Sequence, residues 1–340
     1  MLIEYKEVYA AVANSRHFLS LRFFRARSNH IAQRYDIIGD IHGHANDLRQ
    51  LLRHMEYVDS GGYFEHPSRK AIFLGDFIDR GINQAAVLDM VMPMVANGAA
   101  LAVMGNHEFN ALAFHTLHPS RPSAWLRERN NKNISQHLAF LKDYSSPSKA
   151  DQLQQVLDFF MSLPLWLEID GLRVVHACWD EGHIATMRTL DPVGKLSPES
   201  LVEAATRGTP AYRAVETLLK GVEVDLPEGT TFTDKDGHER SAVRVQWWNR
   251  EATCLGDAAL PPGVPLGSAA DLPLPESVPV YGEDAPPCFV GHYWLRGAPA
   301  PLVANVACLD YSVARNGKLV AYRWDGERVL AREKFAYSDL

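Results

Sequence analysis

Short apolar runs, each closed by a polar residue with metal-ligand chemistry, recur along this chain at 36–40 (DIIGD), 72–76 (IFLGD), 102–106 (AVMGN), 172–176 (LRVVH) and 288–292 (CFVGH). In four of the five, glycine immediately precedes that residue. Such runs predict brief buried β-strands that stop at a breaker, so the polar residue falls where the strand leaves its sheet. Between the first two runs, Leu48, Leu51, Leu52 and Met55 give 44–57 one apolar helical face. Between the second and third, 82–96 reads as a helix that Pro93 kinks and Gly98 caps. This alternation implies right-handed crossovers and a mainly parallel sheet.

A helical region then runs from 109 to about 163, broken by Pro119, Pro122 and the 145–148 turn (SSPS), and could cap a site. Residues 180–250 read as an insertion of mixed helix and loop, and 256–287 as a loop dense in Pro and Gly. The C-terminus predicts an antiparallel meander of 302–310, 318–324 and 329–335, with turns at Asn316-Gly317 and Asp325-Gly326. Residues 1–34, basic after Glu4 and Glu7, form an N-terminal extension ahead of a domain over 35–340.

In open α/β sheets, ligands bind at the C-terminal edge of the strands, where loops converge. The five strand-end residues would there gather carboxylate, amide and imidazole groups, a set suited to hard or borderline divalent ions. Asp40 and His42, two apart on extended chain, can grip one ion together. Asp76 can bridge to a second ion, whose shell Asn106, His176 and His292 would complete. Two ions roughly 4 Å apart orient a bridging hydroxide for in-line attack on phosphorus, which points to phosphate ester hydrolysis. Arg80, beside the ions, can hold phosphate oxygens with its fork. His107 can protonate the leaving oxygen, and Asp79 can hold that imidazole charged and oriented.

The blocks GDIHG at 39–43, GDFIDRG at 75–81 and GNHE at 105–108, with His176 ending a strand and Gly291-His292 further on, resemble the calcineurin-like metallophosphoesterases. Within them they resemble the branch of Ser/Thr phosphoprotein phosphatases and symmetrical diadenosine tetraphosphatases. The resemblance implies an α/β fold, a two-sheet β-sandwich flanked by helices in four layers, α/β/β/α. It implies the ligands Asp40, His42, Asp76, Asn106, His176 and His292, an acid pair of His107 with Asp79, and Arg80 as a phosphate clamp. Trp294 stands where distant relatives carry a second histidine after Gly-His, a departure shared with the phosphoprotein phosphatases. Their Gly-Gly after the strand-end histidine is replaced by Ala177-Cys178. A second phosphate-binding arginine is expected between His176 and His292, with Arg250 as the candidate and Arg244 behind it. Asp310-Tyr311 lies where this branch returns a loop to the site and is given no role.

Composition sets the remaining bounds. At 340 residues, 46% hydrophobic and 22% charged, the chain can bury one large core. A net charge of −7 argues against extended nucleic-acid binding, though not against a small phosphorylated substrate. Four cysteines without CxxC spacing suggest no disulfide framework, and with no apolar stretch long enough for a bilayer the expectation is a cytoplasmic protein without membrane attachment. The expected cofactors are two divalent ions, Mn²⁺ first and Fe or Zn next. Phosphomonoester hydrolysis, with phosphoprotein among the candidate substrates, is the leading reading and dinucleoside polyphosphate cleavage the rival. A metal-binding regulatory protein without turnover is the alternative of another class. Trp179, Trp247, Trp248 and Trp294 could stack a nucleobase, but packing is the ordinary role of tryptophan.

Overall fold

Each of the five runs begins within a strand, though the third strand lies ahead of its run and shares only Ala102 with it, and the strands divide between two sheets. The computed structural model describes residues 33–233 and 237–338. The expected N-terminal extension therefore lies outside the described residues, apart from Gln33 and Arg34. The strands of the two principal sheets are β1 (Arg34–Ile38), β2 (Arg69–Phe73), β3 (Ala100–Ala102), β4 (Trp166–Ile169), β5 (Leu172–Val175), β6 (Cys288–Val290), β7 (Val306–Cys308), β8 (Asp310–Tyr311), β9 (Lys318–Trp324) and β10 (Phe335–Tyr337). The first sheet has the order β8-β9-β1-β2-β3, with β10 also paired to β9. The second has the order β7-β6-β5-β4. β1, β2 and β3 are parallel, as are β5, β6 and β7.

The sheets face each other across an apolar layer. Ile37, Ile72 and Val320 of the first meet Leu172, Val174, Phe289 and Ala307 of the second, all fully buried. Ile38, Ala71 and Phe73 point the other way, into a core shared with helices. Strands covered on both faces need apolar residues at consecutive positions, which is why the runs lack polar alternation. The longer helices are α1 (Ala45–His54), α2 (Gln84–Ala96), α3 (Asn106–His115), α4 (Asn131–Tyr144), α5 (Ala150–Ser162), α6 (Glu181–Arg188), α7 (Pro198–Ala205) and α8 (Pro210–Lys220). α1 and α2 pack against the first sheet and α6–α8 form one packed group, giving the helix-flanked α/β sandwich.

Two regions depart from the sequence pattern. The chain over 302–310 is not one strand of a meander: β7 lies parallel to β6 in the second sheet, and β8, one residue later, pairs with β9 in the first. The last strand is β10 rather than 329–335. Alternation marks a strand but not its partner, so local pattern could not reveal the change of sheet. Residues 256–287 are also more than a loop. Ala259–Leu260 joins Ala242–Val245 and Glu223–Asp225 in a small antiparallel sheet, which covers its own core of Val243, Val245, Leu255 and Leu266. The described residues make one compact unit.

Candidate metal centre

β1, β2 and β3 end in step, with Ile38 paired to Phe73 and Phe73 to Ala102, so the loops beyond them leave the sheet side by side. The first loop carries Asp40 and His42, and the second Asp76, Asp79 and Arg80. The third turns directly into α3, which begins at Asn106. β5 and β6 of the other sheet deliver His176 and His292 to the same place. Glycine before four of the five strand-end residues makes this convergence possible. A Cβ on Gly105 would lie 2.3 Å from Asp76 Oδ1, and one on Gly291 would lie 2.0 Å from Asp40 Oδ1. Both are far inside van der Waals contact.

His42, Asp76, Asp79, Arg80, His292 and Trp294 all have positive φ, between 47° and 72°. Each such non-glycine residue costs on the order of 1–3 kcal/mol and persists only where surrounding bonds over-determine it. Glu108 supplies much of that restraint. Its fully buried carboxylate accepts backbone N–H bonds from Asp76 (2.7 Å), Phe77 (2.9 Å) and Gly105 (3.0 Å), tying the second and third loops together. The sequence motif contains Glu108, but nothing in its spacing announced that job.

Asp76 is the centre of the cluster. Its Oδ2 lies 3.6 Å from His42 Nε2, 3.5 Å from His176 Nε2 and 3.9 Å from His107 Nε2. Two triads share it, His42–Asp76–His107 and Asp76–His176–His292, each with donor atoms within 4.8 Å of one another. Asn106 Oδ1 lies 3.1 Å from His176 Nε2 and 2.8 Å from His292 Nδ1. Asp40 is in neither triad, yet its Oδ2 accepts the His292 backbone N–H at 3.0 Å. Three atoms decide whether metal fits. Asp40 Oδ1, His42 Nε2 and His292 Nε2 are buried without a hydrogen-bond partner, while the opposite nitrogen of His42 donates to the Ile78 carbonyl. Buried polar atoms without partners are costly, and these three belong to expected ligands, so the residues fit a divalent-metal site.

The charges agree. Burial, with Asp310 and Asp76 nearby, pushes Asp40 well above the carboxylate range. Burial would lower His176, but Asp76 and Asp40 raise it to about 10. Burial would likewise raise Asp76, but His176 and His107 hold it well below the ordinary value. Burial holds His42 near 4 against the pull of Asp76. Asp76 thus draws a proton onto His176, positive charge that a bound ion would bring instead, whereas burial drives Asp40 and His42 toward their neutral forms.

His107 sits on the rim of this cluster. Its Nδ1 donates to Asp79 Oδ2 at 2.6 Å. Burial lowers its pKa, yet Asp76 and Asp79 prevail and the net shift is upward. Arg80 is exposed and its guanidinium lies 5.2 Å from the centroid of the Trp294 ring. The guanidinium of Arg315 lies 5.1 Å from the same centroid, and the His42 ring is 5.7 Å away on a 32° tilt. Trp179, Trp247 and Trp248 are buried core residues. Arg250 is exposed, and its Nη1 donates to the Tyr281 carbonyl at 3.4 Å. Arg244 is the arginine whose charge helps burial to depress His292. The buried Asp310 carboxylate accepts the backbone N–H groups of Trp294 (2.7 Å) and Ser312 (2.9 Å), fixing the loops that present Trp294 and Arg315. No signal in the sequence singled out Arg315, because its relevance comes from loops joined only in space.

Residues 34–226 match the model of the calcineurin-like phosphoesterase domain, and the chain belongs to that family. It is similar to the asymmetrical bis(5'-nucleosyl)-tetraphosphatase PrpE of Halalkalibacterium halodurans, with 37% identity over 190 residues, 55% of this chain and 74% of that protein. The PrpE of Oceanobacillus iheyensis is 28% identical over 148 residues, 42% of this chain and 54% of its own length. That of Anoxybacillus flavithermus is 42% identical over 74 residues, 22% of this chain, and only 30% of that relative is spanned. Among solved structures, a Saccharomyces cerevisiae protein serine/threonine phosphatase aligns at TM-score 0.46 and 13% identity, over 92% of this chain and 80% of that one. A cold-active protein-tyrosine phosphatase of a Shewanella species aligns at TM-score 0.43 and 16% identity, over 87% and 79%. Neither structural likeness bears on function. Among the described residues, no helix is long and apolar enough to cross a membrane.

Proposed function

We propose that the chain is a dinuclear metal-dependent hydrolase of phosphoric bonds, acting on substrates with a linked polyphosphate such as dinucleoside polyphosphates. Asp40, His42 and Asp76 would hold one ion; Asp76, Asn106, His176 and His292 would hold the other, with Mn²⁺ the first choice of metal and Fe or Zn open. When bound, such ions supply Lewis acidity to the phosphoryl oxygens and activate the attacking water. The chain's own groups do the rest. Arg80 orients phosphate oxygens, and His107, charged and held at Nδ1 by Asp79, presents Nε2–H to the leaving oxygen. As the bond from phosphorus to that oxygen breaks, the proton moves onto it and water replaces it on phosphorus.

The observation that carries the substrate class is the pair of guanidinium groups gathered on Trp294. Arg80 and Arg315 are within about 10 Å of each other, enough for one to face the reacting phosphate and the other a neighbouring one. The names of the PrpE relatives agree with that reading. The phosphomonoester reading retains one support, the replacement of the second histidine by Trp294. A panel of p-nitrophenyl phosphate, a phosphopeptide and diadenosine tetraphosphate with Mn²⁺ distinguishes them. The dinucleotide should have the highest kcat/KM, and Arg315→Ala should lower it about 10-fold there while sparing p-nitrophenyl phosphate. A higher kcat/KM on the phosphopeptide, with no effect of Arg315→Ala on any substrate, would return the assignment to phosphomonoesters.

A further inference from the structure

The helical region after α3 does more than cover the site, because it brings a second histidine to Asp79. His137 of α4 has Nδ1 2.8 Å from Asp79 Oδ1, while His107 Nδ1 lies 2.6 Å from Asp79 Oδ2. Both oxygens of a carboxylate that is 3% exposed are therefore committed, one to each imidazole. We infer that His137 is a positioning residue of the reaction: it holds Asp79, and through Asp79 the ring of His107, in the orientation that aims Nε2 at the leaving oxygen. This rests on the acid role given to His107 above.

Packing alone does not account for His137. Its ring stacks on Phe140 (centroids 4.6 Å apart, planes 21° apart) and lies 5.2 Å from Phe114, in surroundings where a phenyl ring would serve. As an imidazole it leaves Nε2 buried without a partner, a penalty that phenylalanine would avoid. The bond to Asp79 is what the imidazole adds. Since Nδ1 faces the carboxylate, Nδ1 carries a proton and donates it to Asp79 Oδ1. The rigid ring stack then fixes the donor, and the donor fixes a carboxylate whose backbone already sits at φ 67°. Without that bond, Asp79 Oδ1 would be a buried acceptor free to turn toward another partner, and the His107 ring would turn with it. The adjoining cavity, lined by Asp79, His107, His137 and Arg127 among others, has a volume of about 10 Å³, room for one water at most. A phenyl ring at 137 would keep the packing and leave no larger space for solvent to take the donor's place.

The test compares His137→Phe and His137→Asn with wild type, measuring kcat on phenyl phosphate, a poor leaving group, and on p-nitrophenyl phosphate, a good one. Asn can place an amide N–H near the position of Nδ1. We expect His137→Phe to lower kcat on phenyl phosphate about 10-fold and on p-nitrophenyl phosphate no more than about 2-fold, with metal content unchanged, the scale seen when a supporting hydrogen bond is lost. His137→Asn should recover most of the loss. A second reading needs no turnover. In metal-free protein, the His107 Nδ1 proton should be slowly exchanging by NMR in wild type and lose that protection in His137→Phe. Equal loss on both leaving groups, or unchanged kcat together with unchanged protection, would overturn the inference and make His137 a packing residue. If His137→Phe does not fold, His137→Asn against His137→Gln carries the comparison, since Gln sets the amide one bond too far, and equal behaviour of the two again overturns it. Wild type inactive on every substrate, with His107 still protected only when His137 is present, would refute the proposed activity and leave the positioning role standing.

Discussion

Gly291→Ala adds one methyl group beside one oxygen atom. Gly291 does not adopt a left-handed conformation, so its backbone accepts alanine, and the effect is steric. The new Cβ would lie 2.0 Å from Asp40 Oδ1 and 3.0 Å from its Cγ, whereas ordinary contact begins at 3.4 Å. The carboxylate or the strand end must yield by about 1.4 Å. Asp40 Oδ1 is also one of the buried atoms without a hydrogen-bond partner, the atom that a metal ion would engage. Overpacking of this kind costs roughly 1–3 kcal/mol of stability. A ligand displaced by about 1 Å loses much more of its function, with factors on the order of 100 in rate for such misplacements. The variant should therefore remain folded with a modest drop in Tm, yet bind Mn²⁺ at least about 10-fold more weakly, most clearly in the ion held by Asp40 and His42. Calorimetric titration of the metal-free protein, alongside thermal melts, measures both. Wild-type affinity and stoichiometry in Gly291→Ala would refute the reasoning, for then Asp40 Oδ1 is not a ligand or the loop moves without consequence.

Three other outcomes follow from the same geometry. His107→Ala should keep both metal ions while kcat falls about 100-fold or more on poor leaving groups; loss of an ion would make His107 a ligand of the first triad instead. Glu108→Gln should lower stability by about 1–3 kcal/mol and weaken metal binding, because an amide offers one acceptor oxygen where three backbone N–H groups now bond to two, and unchanged melts and titrations would count against it. Burial, with His137 and Arg129 nearby, holds His115 near 4. The unfolded chain then binds more protons between pH 6.5 and 4, so stability is full above pH 6.5 and is lost as pH falls toward 4. From pH 7 to pH 5 wild type should lose about 2 kcal/mol more than His115→Leu in denaturant titrations of the metal-free protein, and equal losses would contradict the burial argument.

Much of this site was legible in the chain because it is written locally. A strand of three to five residues with no polar alternation must be buried on both faces, and it must end where a breaker lets the chain turn. Asp40, Asp76, Asn106, His176 and His292 could thus be assigned to strand ends without knowing which strands are neighbours. The glycines were legible as turn residues, but their main reason was not. Gly105 makes room for the carboxylate of Asp76, and Gly291 for that of Asp40. Those contacts cross 29 and 251 residues of chain, and periodicity carries no information over such distances.

Residue pattern by itself determined the strand ends, the helix faces of α1 and α2, and which carboxylate, amide and imidazole groups stand at those ends, since each depends on a short stretch of chain. The resemblance carried by the motifs added the two-sheet sandwich. Tertiary structure alone decided the rest. It split 302–310 between two sheets, packed 256–287 into a small core shared with 226–255, and set Asp310 beneath Trp294. It gathered Arg315 beside Arg80 and brought His137 to Asp79 across 58 residues. Each of those placements depends on which loops pack against which, and burial of side chains from distant segments sets that choice where no spacing along the chain can.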